Sequence, residues 1–131
     1  MPLRCLLVDD SDAFLEAASV LLEREGLTVV GRASSIAEAL RQARALRPDV
    51  ILVDIGLGDE SGFDLAQLLA RDGHGVQGGQ GVQGVDADVI LISARAETEY
   101  TELIAQSPAA GFLAKSELSA RGISRLLGQT P

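Results

Sequence analysis

Val50-Ile51-Leu52-Val53-Asp54-Ile55-Gly56-Leu57-Gly58 is the stretch on which the fold of this chain turns. Four branched apolar residues run unbroken into a carboxylate, and two glycines follow within four positions. A short continuous apolar run bounded by turn signals reads as a strand buried on both faces. Asp54 then falls at the strand's carboxyl end, where the sheet meets water. A carboxylate beside a buried strand is costly unless it is paired or used. Asp54 therefore marks a site.

On both sides of this strand, strand and helix signals alternate. Upstream, Leu3 to Val8 is apolar and ends at Asp9-Asp10, after which Ser11 and Asp12 offer helix N-caps. Phe14, Ala17, Ala18, Leu21 and Leu22 follow at helical spacing, and Gly26 stops that helix. A second strand is expected from about Thr28 to Ala33. Ser35 and Glu38 form a capping box for a helix carrying Ile36, Ala39, Leu40, Ala43 and Leu46, closed by Pro48. Downstream, Ser61 is expected to open a helix built on Phe63, Leu65, Leu68 and Leu69, dissolving at Gly73. Asp88 to Ser93 is a fourth strand, and Glu97 to Gln106 a weaker helix on Tyr100, Leu103 and Ile104, ended by Pro108. Gly111 to Lys115 is the last strand. Ser116 is expected to open a final helix with Leu118, Ile123, Leu126 and Leu127, its interior weakened by Gly122.

Five strands alternating with five helices predict an α/β fold with a mostly parallel sheet and right-handed crossovers. The expected architecture is flavodoxin-like, a (βα)5 doubly wound five-stranded parallel sheet in the order 2-1-3-4-5. That order sets strands one and three side by side at the switch point, where ligands bind beyond the strand carboxyl ends. The whole chain, 1–131, reads as a single domain.

Residues 73–87 interrupt this pattern with a glycine-dense segment in which Gly-Val-Gln-Gly occurs at 75–78 and again at 81–84. Such a segment reads as a flexible insertion in a loop, at the opposite end of the sheet from Asp54. Gly79, Gly81 and Gly84 match a dinucleotide-binding spacing, but that spacing has meaning only after a strand and before a helix. Here it precedes a strand, and the reading is rejected. His74, in the same segment, has no evident partner.

Composition narrows the function further. A hydrophobic share of 47% is that of a globular protein, and a net charge of −8 argues against direct nucleic-acid binding. No apolar run is long enough to cross a membrane, and Asp9-Asp10 cuts the N-terminal stretch too short for a secretory signal. The cytoplasm is the expected location. Cys5, the one cysteine, lies in a strand and reads as a small core residue.

The strand ends supply the chemistry. Strand one delivers Asp9 and Asp10, strand three Asp54, strand four Ser93 and strand five Lys115. Three carboxylates at adjacent strand ends repel one another and require an offsetting cation. Oxygen ligands suit Mg²⁺ or another hard divalent cation. Lys115 adds a charge that can hold an anion, and the Ser93 hydroxyl can donate to it. A metal, an anion clamp and a carboxylate nucleophile make a site for phosphoryl transfer onto aspartate.

On these landmarks the chain resembles the receiver domain of bacterial two-component response regulators. Leu7-Val8-Asp9-Asp10, Val53-Asp54, Ile92-Ser93-Ala94 and Phe112-Leu113-Ala114-Lys115 match that family in order and spacing. The resemblance implies that Asp54 accepts a phosphoryl group from a sensor histidine kinase or a phosphotransfer protein. It implies Asp10, Asp54 and the backbone carbonyl of Gly56 as metal ligands, with Asp9 acting directly or through water. It makes Lys115 a contact for phosphoryl oxygens, and Ser93 and Phe112 the switch residues. Such a domain is not an enzyme in its own right, catalysing only its own phosphorylation and slow self-dephosphorylation. Output is expected through helix four, strand five and helix five, around Tyr100, Phe112 and Leu118. The receiver of that signal is a downstream protein partner or a detached output domain, and phosphorylation-linked homodimerisation fits as well. The phrase Ala114-Lys115-Ser116-Glu117-Leu118 resembles receivers that precede a DNA-binding tail, although the chain ends near its fifth helix. The family's proline after the lysine is replaced here by Ser116, and a proline common beyond the phosphoacceptor strand is absent from Gly56-Leu57-Gly58.

Rival readings fit less well. A haloacid-dehalogenase-like phosphatase needs an acid two residues beyond its nucleophile, where Gly56 stands. A P-loop enzyme needs Lys-Ser or Lys-Thr after strand one, where Asp9-Asp10-Ser11-Asp12 would repel phosphates. Cofactor-free flavodoxin-like binding gives the carboxylates no role. The alternative of a different class is a receiver-like interaction module working without phosphorylation.

Overall fold

The computed structural model describes residues 3–73, 87–95 and 99–128, with the side chains of 70–73 excepted. Most of the glycine-rich insertion, His74 and the rejected glycine spacing lie outside the described residues.

Five parallel strands form the sheet: β1 (Arg4–Val8), β2 (Thr28–Ala33), β3 (Val50–Asp54), β4 (Asp88–Ser93) and β5 (Gly111–Ala114). Their order is β2-β1-β3-β4-β5, as the strand-helix alternation predicts. The helices are α1 (Asp12–Arg24), α2 (Ile36–Leu46), α3 (Gly62–Gly73), α4 (Thr101–Gln106) and α5 (Ala120–Leu126).

Register explains why β1 after Arg4 and β3 before Asp54 are wholly apolar. Successive side chains of a strand point to opposite faces, and both faces of this sheet are covered. Leu6, Val8, Ile51, Val53 and Leu91 join Ala39, Ala43, Leu65 and Leu69 in one cluster on the α2–α3 side. Cys5, Leu7, Val50, Leu52, Ile90 and Ile92 join Leu15, Ala18, Leu22 and Ile123 in a second on the α1–α5 side. Cys5 is fully buried, and that burial pushes its thiol up to about 12. It is a core residue, as expected.

Several element ends differ from the sequence expectation, each for a local reason. Ser11 caps α1, its Oγ accepting the Phe14 N–H at 3.2 Å. At α2, Ser35 Oγ accepts from Glu38 N–H, but the Glu38 carboxylate accepts from Ser34 N–H at 2.8 Å rather than from the Ser35 amide. The capping box is thus closed one residue early. Ser61 opens α3 as expected, its Oγ accepting the Phe63 N–H at 3.1 Å, while its backbone pairs with Gly56 in a hairpin of two two-residue strands, Gly56–Leu57 and Glu60–Ser61. Gly58 makes that turn at φ +64°, in the left-handed region. α4 is described from Thr101, and the expected start at Glu97 lies outside the described residues. Lys115–Glu117 forms a 3₁₀ turn, so Ser116 does not cap the last helix. Ser119 does, accepting the Gly122 N–H at 2.9 Å. Gly122 therefore stands in the first turn of α5 rather than in its interior.

Candidate phosphoacceptor site

The carboxyl ends of β1, β3 and β4 and the turn after β5 meet at one point. Register carries them there: Val8 lies opposite Val53, Asp54 opposite Ile92, and Ser93 opposite Ala114. The next residues along the chain are Asp9, Asp10 and Lys115. Carboxylate oxygens of Asp9, Asp10 and Asp54 lie within 4.8 Å of one another. Asp9, Asp10, Asp54 and Lys115 are brought together in this crevice, and Ser93 follows Ile92, the strand partner of Asp54.

Their environments differ. Asp9 is fully buried, Asp54 is 8% exposed and Asp10 is exposed. Asp9 Oδ1 accepts the Ser11 N–H at 2.9 Å, which fixes the chain's entry into α1. Asp9 Oδ2 lies 2.6 Å from the Lys115 ammonium, yet among the described residues it accepts no well-aligned hydrogen bond. Lys115 is farther from Asp54 Oδ2, at 3.5 Å. The cation thus sits closer to the more deeply buried of the two carboxylates.

The charge on Asp54 is disfavoured by its surroundings. Burial, reinforced by the charge of Asp9, pushes its carboxyl up to about 6, against the pull of Lys115 and a backbone hydrogen bond from Gly56. A divalent cation would reverse that balance. The donors are all oxygen, and a buried Asp9 oxygen lacks a proper hydrogen bond. Both features fit a hard ion such as Mg²⁺.

Gly62 lets the site close from behind. A Cβ there would collide with the Asp54 carbonyl, and its N–H donates to Ile55 O at 2.7 Å. α3 can start this near β3 only with glycine at that position. Ser93, also buried, uses its Oγ to accept the Arg95 N–H at 3.0 Å. Phe112 is buried in the α2–α3-side cluster, against which Tyr100 and Ile104 also pack. It stands one strand position before Leu113, on the face opposite that residue.

Three contributors were not singled out in the sequence for this site. Phe14, expected only as part of a helical apolar face, lies under Lys115 with its ring centroid 4.2 Å from Nζ. Glu60 reaches from the hairpin to accept the Ile36 N–H at 2.8 Å. Gly62 supplies the close approach. The glycine was the readable signal, standing just beyond a turn at the start of an apolar helix.

Comparison with known proteins gives consistent results. Residues 5–126 match the family model of the response regulator receiver domain. The response regulator GacA of Pseudomonas viridiflava is 31% identical over 114 residues, covering 86% of this chain and 48% of that protein. The chain thus spans about half the length of such relatives. The signal receiver domain of NarL from Mycobacterium tuberculosis superposes with a TM-score of 0.75 at 28% identity, covering 98% of both chains. A response regulator from Burkholderia pseudomallei, solved with a phosphorylated aspartic acid and a calcium ion, gives a TM-score of 0.73 at 27% identity over 94% of this chain and 65% of that one.

Proposed function

Since the chain belongs to the response regulator receiver family, we propose that Asp54 is its phosphoacceptor and that phosphorylation there switches a signalling surface. The observation that carries this reading is the ammonium of Lys115 set between two buried carboxylates, 2.6 Å from Asp9 and 3.5 Å from Asp54. Asp9, Asp10, Asp54 and the Gly56 carbonyl would hold the Mg²⁺. When bound, the ion neutralises negative charge on the phosphoryl oxygens.

The Asp54 carboxylate attacks phosphorus, and the bond from phosphorus to the donor's nitrogen or oxygen breaks. The leaving atom departs with that electron pair, and Asp54 becomes an acyl phosphate. The Lys115 ammonium bonds the new phosphoryl oxygens. Ser93 Oγ, now an acceptor for the Arg95 amide, turns its hydroxyl to the phosphoryl group. Phe112 follows, and α4, β5 and α5 carry the change outward as a two-state element biased by charge.

The donor is a sensor histidine kinase or phosphotransfer protein. The signal passes to a downstream protein partner, to an output domain, or to a second copy of the chain. Residues 1–131 act as one receiver domain, in the cytoplasm. No helix among the described residues is long and apolar enough to cross a membrane.

The test is intact mass after incubation with Mg²⁺ and acetyl phosphate, wild type beside Asp54→Asn. One phosphoryl group is expected on the wild type, dependent on metal and absent from the variant. A folded wild type that takes up none from any donor would sink the reading in favour of an interaction module.

A further inference from the structure

We propose that Phe14 is a positioning residue for Lys115, its ring holding the ammonium in place while that group exchanges Asp9 for the incoming phosphoryl oxygens. The proposal rests on the phosphoacceptor reading above and assigns a role to a residue of α1 that offers no polar atom to the site.

An ammonium has three N–H donors and is strongly hydrated. Here one side of Nζ faces Asp9 Oδ2 at 2.6 Å and another faces Asp54 Oδ2 at 3.5 Å. On a third side lies the face of Phe14, 4.2 Å from Nζ to the ring centroid, well inside the range of cation–π attraction. The Lys115 side chain is 20% exposed, so the ring shields a cation that water would otherwise solvate. Phe14 is itself anchored, half-buried against the α1–α5-side cluster.

The geometry poses a problem that the ring answers. Lys115 is pulled hardest toward Asp9, the fully buried carboxylate, yet the chemistry occurs on Asp54. To serve the phosphoryl group the ammonium must loosen its tight contact without escaping to solvent. A carboxylate or hydroxyl in Phe14's place would fix the ammonium by a directed hydrogen bond. An aromatic face attracts a cation held over its centre and demands no N–H direction. The ammonium can loosen its bond to Asp9 while keeping this contact, which counts for most once that bond is stretched. Charge neutrality is unaffected, because no proton moves to or from the ring.

The test replaces Phe14 with mono-, di- and trifluorophenylalanine in the full chain. Fluorination drains the ring face of negative potential and leaves shape and packing nearly intact. Phe14→Tyr and Phe14→Leu are run alongside. The readout is the Mg²⁺-dependent rate of Asp54 phosphorylation by acetyl phosphate, with the Lys115 ε-methylene proton shifts recorded in the unphosphorylated form of each protein. The rate is expected to fall stepwise with each fluorine, by about threefold to tenfold across the series. Tyr should match the wild type, and Leu should fall to the trifluoro level and lose the ring-induced shift of the ε-methylene. A wild type that labels, with a rate flat across the fluorine series, would overturn the role of Phe14 and leave the phosphoacceptor reading standing. A folded wild type that does not label would overturn both.

Discussion

At the scale of single residues, the site is a contest between burial and charge, and Asp54 records the outcome. Its carboxyl is pushed up to about 6 from an ordinary 3.8, first by burial and then by Asp9. An acid with a raised folded pKa holds its proton more tightly when folded than when unfolded. Ionised Asp54 therefore costs stability at pH 7, and the cost disappears as pH falls from about 6 to below about 4. In metal-free protein, Asp54→Asn should be more stable than wild type at pH 7 by up to about 3 kcal/mol. The gap should close by about pH 4 in paired urea titrations run in chelator. An equal gap at both pH values would count against the raised carboxyl. These residues were readable one by one as strand-end polar groups, because a charge that ends an apolar run must be solvated, paired or used. What could not be read was which carboxylate would take Lys115. That depends on depth, and strand ends do not declare their depth in sequence.

At the scale of elements, the hairpin after β3 replaces the rigidity that its sequence lacks. No proline stiffens Gly56-Leu57-Gly58, yet Leu57 is buried and Glu60 bonds the first amide of α2 at 2.8 Å. A carboxylate at a helix N-terminus satisfies an orphan N–H and complements the helix dipole. Here it also ties the hairpin carrying Gly56 to a neighbouring helix. Glu60→Ala should lower stability by about 1 kcal/mol in urea unfolding and weaken Mg²⁺ binding severalfold. Glu60→Gln should recover most of the stability; if alanine leaves Mg²⁺ affinity unchanged, the hairpin is held by Leu57 alone. The strands and α2 follow their hydrophobic periods closely, because burial on both sheet faces leaves them little choice. By contrast, α1 buries Leu15, Ala18, Ser19 and Leu22 and leaves Ala17 and Leu21, expected on its apolar face, exposed. The ends differ where short-range and long-range bonds compete. Ser61 is a helix cap by its Oγ, and its backbone also pairs with Gly56. Ser116 looks like another, but Lys115 must turn into the site first, which delays α5 to Ser119.

At the scale of the whole molecule, folding has assembled a surplus of negative charge at one end of the sheet, and a bound cation should repay it as stability. Anything that binds the folded state alone stabilises it by mass action. At a hundredfold excess over its dissociation constant, Mg²⁺ should add about 2.7 kcal/mol, seen as a rise in Tm that chelator reverses. A Tm indifferent to Mg²⁺ would mean that the three carboxylates hold no ion. The sheet that creates this end also divides the interior, with one apolar cluster toward α2 and α3 and another toward α1 and α5. Phe112 belongs to the first and Leu113, its neighbour, packs on the second. Each strand is thus a party wall between two rooms that share it without opening into each other. Substitutions in different rooms should add, as independent sites do. A lineage can therefore refurnish one side for a new counterpart while the other keeps its tenants.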